Sequence, residues 1–175
     1  MRAQFIWPLA LAAGVGGVAI AAQAALVLPF TPVPVSLQGL AVLLTGGLFG
    51  ASVGAGAMVI YLALGAFGLP VFASGSSGLN HLFGPTGGYL LAFPVAAFVT
   101  GRVAERGRLA RCLLGAALGM ALLHLVGLTW LAIVTGRPVA SSLAGLGPVA
   151  LSDLAKVLVA TLVLWKFAGT LRPRA

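Results

Sequence analysis

The sequence predicts an all-α membrane protein, a bundle of six transmembrane helices with both termini on the cytoplasmic side. Three observations predict it. Of the 175 residues, 61% are hydrophobic and only 7% are charged, whereas about a quarter of the residues in a soluble domain are charged. The apolar residues form long runs, not the alternating segments of about 10 residues that an outer-membrane barrel requires. The ten basic residues stand mostly between and after those runs, where Lys and Arg mark cytoplasmic loops. They are not gathered into a patch beside exposed aromatics, so the net charge of +8 reports topology and implies no nucleic-acid partner. The length allows one domain, residues 1–175.

The first apolar run, Phe5–Val27, exceeds a signal-peptide core and lacks a small-residue cleavage site followed by polar sequence, so it is expected to stay as a helix. Leu37–Leu69 as one helix would measure roughly 50 Å, well beyond a hydrocarbon core of about 30 Å. Two shorter helices are expected instead, with the break in the glycine-rich patch Gly46, Gly47, Gly50, Gly54, Gly56. Pro85–Gly101 opens with a proline in its first turn. Cys112–Val134 and Val149–Ala168 complete the set, and Cys112, the lone cysteine, reads as a small packing residue. Six spans with a cytoplasmic N-terminus put Arg2, the Arg102/Arg106/Arg108/Arg111 loop and Lys166/Arg172/Arg174 on one side, leaving only Arg137 outside. Merging Leu37–Leu69 into one span would send the four-arginine loop outward.

That topology directs Leu28–Ser36, Gly68–Gly84 and Thr135–Pro148 to the outer face. The first carries Pro29, Pro32 and Pro34, which remove backbone donors and push the preceding residues to extended conformations, so an extended flap is expected. The second mixes apolar, glycine and small polar residues over a length uncommon for a plain connection, and suggests either a ligand-covering surface or a re-entrant packing loop.

The chain has two acids. Glu105 lies three residues from both Arg102 and Arg108, an ordinary surface pairing. Asp153 falls about one turn into the last run with Lys156 on the same helix face. An ionisable group at membrane depth costs about 2.5–3.5 kcal/mol on insertion scales and marks a functional site by default. The pair either neutralises itself or anchors the helix end, or it faces the interior and binds a ligand, Lys156 meeting an anion and Asp153 meeting N–H donors. Gln38, Asn80, His81, Thr86, Tyr89 and Tyr61 gather at the same level, and with Phe30, Phe72 and Phe83 they would complete an apolar pocket near the outer face with a few directional contacts. His124 and Trp130 read as core residues. On the first helix Ala13, Gly17, Ala21 and Ala25, with a second row at Ala10 and Gly14, form a small-residue stripe that serves either internal packing or docking of another membrane subunit.

Pro29-Phe30-Thr31-Pro32-Val33-Pro34-Val35-Ser36-Leu37-Gln38, then Gly68–Phe72, Gly84–Leu90, and Asp153 with Lys156, resemble in order and over nearly the whole chain the BioY family, the biotin-specific S components of energy-coupling-factor transporters. The resemblance implies a six-helix bundle with an outward pocket capped by the first loop. It implies that Asp153 and Asn80 hold the ureido ring of biotin and that Lys156 holds its carboxylate. The family's second basic contact to that carboxylate has no counterpart between Asn80 and Gly101, which leaves Arg137 as the outer candidate. The implied partners are a transmembrane coupling subunit and two cytoplasmic ATPase subunits, with no cofactor. The chain itself lacks a phosphate-binding loop of the Gly-x-x-x-x-Gly-Lys-Ser/Thr type. An S component for a cationic vitamin would gain little from Lys156. An intramembrane enzyme would need a catalytic constellation, whereas Glu105 and Asp153 fall on opposite faces. A channel would need a continuous polar path, and the inner halves of these helices are apolar.

Overall fold

The computed structural model describes residues 3–26, 34–136, 138 and 147–168. Among these, seven α-helices and one two-stranded ribbon form the fold. They are α1 (Ala3–Gln23), β1 (Ala25–Leu26), β2 (Val35–Ser36), α2 (Gln38–Phe49), α3 (Ala51–Ala66), α4 (Leu79–Phe83), α5 (Gly87–Val103), α6 (Leu109–Thr135) and α7 (Gly147–Phe167). Leu37–Leu69 does divide in two, and the break is the single residue Gly50, whose φ of 94° is open to glycine and strained for other residues. The first helix stops at Gln23, short of the expected Val27. The next apolar residues leave the helix because Ala25 and Leu26 pair antiparallel with Ser36 and Val35. This ribbon ties both ends of the proline-rich flap to the bundle; residues 27–33, including Phe30, lie outside the described residues.

The helices approach closely where glycine replaces a side chain. A Cβ at Gly46 would overlap the backbone of Ala97, and one at Gly101 would press on Gly46 and Ala51, so α2, α3 and α5 meet almost backbone to backbone. The core around this contact holds Leu43, Met58, Tyr61, Phe72, Phe93 and Ala96, and a smaller cluster of Ala104, Cys112, Leu164 and Ala168 closes the far end. Arg102, Arg106, Arg108, Arg111 and Lys166 belong to that far end by their places in the elements. Arg102 and Glu105 pair there at 2.7 Å on the surface, a contact worth little in water.

The polarity of the bundle is inverted relative to a soluble protein. Ile20, Leu125, Ile133 and Leu151 are each more than 60% exposed, while Gln38, Asp153 and Lys156 are buried. An apolar exterior of this extent is the surface of a membrane protein. Of the described helices, α6 alone combines the length and apolar composition of a full crossing, and α2, α3 and α5 are shorter apolar helices.

Candidate functional site

Opposite the basic end, the C-terminal ends of α1, α3 and α6 meet the N-terminal ends of α2, α5 and α7. The loop after α3 is stitched into this end. Gln38 Nε2 donates to Tyr61 Oη at 2.8 Å, Tyr61 Oη donates to the Val71 carbonyl at 2.8 Å, Gly78 N–H donates to the Gly65 carbonyl at 2.7 Å, and Trp130 Nε1 donates to the Gly84 carbonyl at 2.9 Å. The loop has residues that pack into the core and residues that line a cavity. Phe72 is driven into the core, edge-on to Tyr61 at 5.6 Å, whereas Ala73 and His81 face a cavity.

That cavity has about 80 Å³ open to the centre of a water-sized sphere, several times what one water needs. Its apolar walls include Leu90, Phe93, Met120, Leu123 and Val149, and its polar groups are Ser36, Gln38, His81, Thr86, Tyr89, His124, Asp153 and Lys156. A wider crevice of about 370 Å³ lies between α6 and α7, with Ala117, Ala121, Ala150, Leu154 and Val157 in its lining. Apart from His124 and Asp153, which face both spaces, that crevice is apolar, so the smaller cavity with its convergent polar groups is the candidate ligand site.

The charged centre is compact. Lys156 Nζ donates to Asp153 Oδ1 at 2.7 Å, and His124 Nε2 meets Asp153 Oδ2 at 2.7 Å. The Lys156 and Asp153 side chains are only 9% and 10% exposed. Each charge therefore offsets the other in a site where an unpaired ion would be costly. An ionised carboxylate only accepts, so Nε2 of His124 carries the proton. The Tyr89 ring stands perpendicular to the His124 ring, 5.8 Å between centroids. Room for it comes from Gly127, where any Cβ would overlap the Tyr89 ring. Tyr89 Oη and His124 Nδ1 are buried with no hydrogen-bond partner among the described residues. In the loop, His81 stacks on Phe72 at 5.5 Å, and burial holds its imidazole below the ordinary value of 6.5.

Of the residues singled out from the sequence, Gln38, His81, Thr86, Tyr89, Asp153 and Lys156 line this one cavity. Asn80 does not: it is exposed on the five-residue α4, whose neighbouring residue His81 turns inward instead. Phe72 is core, not lining, and Phe83 is 65% exposed. Phe30 and Arg137 lie outside the described residues. His124, expected as packing, is instead a direct partner of Asp153.

A helical bundle holding a partly open, mainly apolar cavity with one buried ion pair has the form of a small-molecule-binding membrane protein, and the comparisons agree on the class. The chain superposes with a TM-score of 0.87 on a solved S-component for biotin from an ECF-type ABC transporter, at 24% identity over 95% of this chain and 93% of that one, a likeness of fold. The BioY family model matches residues 4–172. The chain is 38% identical over 138 residues to a protein named probable biotin transporter BioY of Pyrococcus horikoshii, covering 79% of this chain and 82% of that one. It is 36% identical over 152 residues to the biotin transporter BioY of Thermotoga maritima, covering 86% and 90%. The chain belongs to the BioY family.

Proposed function

We propose that this chain captures biotin as the S component of an energy-coupling-factor importer, and that it is not itself an enzyme. The observation that carries the proposal is the buried Asp153–Lys156 pair on the wall of an otherwise largely apolar cavity. Biotin needs that combination: an apolar body enters an apolar chamber, ureido N–H groups find an acceptor in Asp153, and the carboxylate finds a cation in Lys156. Gln38, Tyr89 and His81 supply neutral contacts around them. Asn80, exposed on α4, receives no ligand role.

The six longer helices cross a bacterial or archaeal cytoplasmic membrane with both termini inside and the cavity near the outer face. This orientation is supported by the arginines and Lys166 of the described residues, which all belong to the end away from the cavity. Import then requires a transmembrane coupling subunit and two cytoplasmic ATPases. Their contact is assigned to the Ala13, Gly17 and Ala21 face of α1, because the neighbouring row turns inward: Ala10, Gly14 and Val18 are buried while Ala13 and Gly17 are exposed and Ala21 is half-buried; Ala25, the fourth residue of the expected stripe, has left the helix for β1. Titration calorimetry of the purified chain in detergent with biotin, riboflavin and thiamine, without ATP, tests the reading. Biotin alone is expected to bind, and Asp153→Asn to weaken it at least about tenfold. A chain that gives no biotin isotherm overturns the proposal.

A further inference from the structure

We propose that His124 is a positioning residue for recognition of the ureido ring: it orients the Asp153 carboxylate and acts on the ligand only through it. This inference rests on the biotin reading above and goes beyond it, since it adds a site residue on a different helix from Asp153 and Lys156.

Three observations carry it. Asp153 Oδ2 is held by His124 Nε2 at 2.7 Å, while Oδ1 is held by Lys156 Nζ at 2.7 Å. Lys156 sits one turn further along the same helix and ties the carboxylate only to its own element. His124 is the tie across to α6. Without it, rotation about the Asp153 side chain would leave Oδ2 free to point into the cavity or into the crevice beyond, because Asp153 faces both spaces.

The imidazole is itself held. Tyr89 of α5 packs edge-on against it at 5.8 Å, and Gly127 makes space for that Tyr89 ring. The chain of support runs from α5 through α6 to α7 and ends on the one acid of the cavity. An acceptor for a planar cyclic urea must present its lone pairs in a fixed direction, because a hydrogen bond weakens steeply once bent. An aspartate held at both oxygens has that direction before the ligand arrives, which lowers the ordering cost of binding.

The test uses His124→Phe, which keeps the ring and loses the donor, His124→Gln, whose amide N–H reaches the Nε2 position, Asp153→Asn, and the His124→Phe/Asp153→Asn double variant. Each is first compared with wild type by gel filtration and thermal melting in detergent. Affinity is then measured by calorimetry for biotin and for biotinamide, which keeps the ureido ring and lacks the carboxylate. Loss of a hydrogen bond to a charged group predicts that His124→Phe weakens both ligands by the same factor, about tenfold or more. His124→Gln recovers most of this, and His124→Phe adds little on the Asp153→Asn background.

Wild-type affinity in His124→Phe overturns the inference. So does a loss confined to biotin, a His124→Gln variant as weak as His124→Phe, or a full additive loss in the double variant. If wild type itself fails to bind biotin, the functional reading falls. If wild type binds, Asp153→Asn weakens it and His124→Phe does not, only this inference falls.

Discussion

Replacing Lys156 by methionine separates the two jobs the structure assigns to it. In the unliganded protein its ammonium neutralises Asp153 at 2.7 Å, with both side chains about nine-tenths buried. Methionine fills similar volume without charge and leaves Asp153 with His124 as its remaining donor. Breaking a buried pair from one side costs about 3–5 kcal/mol because an ion is stranded. The melting temperature should therefore fall clearly, and Asp153→Asn/Lys156→Met should melt higher than Lys156→Met alone, since it removes the stranded charge. In the complex the same ammonium meets the ligand carboxylate, and a hydrogen bond to a charged group contributes about 1.5–3 kcal/mol, which raises the Kd for biotin by about ten- to a hundredfold. Biotinamide has no carboxylate, so its Kd should move much less. Calorimetry with both ligands on the detergent-purified variant measures the difference. Equal losses for biotin and biotinamide would refute the assignment of Lys156 to the carboxylate, and unchanged binding of both would remove it from the site.

His81 carries a pH signature. Its folded-state value is lowered by burial, so between that value and about 6.5 the unfolded chain binds more protons than the folded one, and stability falls as pH drops through that window. Melting curves at pH about 7 and about 5.5 should show a loss in wild type that is smaller in His81→Gln; an identical loss in both would place the effect elsewhere. Gly127→Ala forces a methyl against the Tyr89 ring, and overpacking of this kind costs about 1–3 kcal/mol, so both melting temperature and biotin affinity should drop. Gly17 is the contrasting case, since a Cβ there has nothing within 4 Å. Gly17→Ile should leave melting and biotin binding as in wild type while preventing co-purification with the coupling subunit, and retained co-purification would take that face out of the interface.

Much of the fold was legible because membrane insertion leaves a strong trace in composition. A run too long for the bilayer with glycines at its middle has to break, and it breaks at Gly50. The end of the first helix was less legible. Ala24, Ala25 and Leu26 are as apolar as the helix before them, and what turns Ala25 and Leu26 extended is pairing with Val35 and Ser36, partners supplied across the proline-rich flap. The loop after α3 shows the same limit. Its residue types announced a site, but which of them face inward is set by the hydrogen bonds that dock its backbone on α3 and α6. Those bonds send Phe72 to the core, His81 to the cavity and Asn80 to the surface.

Within the site, Asp153 and Lys156 could be read as a pair because three residues of helix bring two side chains together whatever the rest of the protein does. His124 could not be read this way. Its contact with Asp153 joins α6 to α7 across 29 positions of sequence, and it depends on how far one helix slides along the other, which no local spacing encodes. A signal did exist in the energetics. An aspartate with two oxygens buried in an apolar chamber needs more than one donor, and Lys156 can neutralise the charge while leaving one oxygen short. Of the two histidines in the chain, His81 falls in the loop, which leaves His124, in the helix immediately before α7, as the natural source of the second donor. Counting what a buried acid requires, and not only what lies beside it in sequence, would have moved His124 from packing residue to site residue.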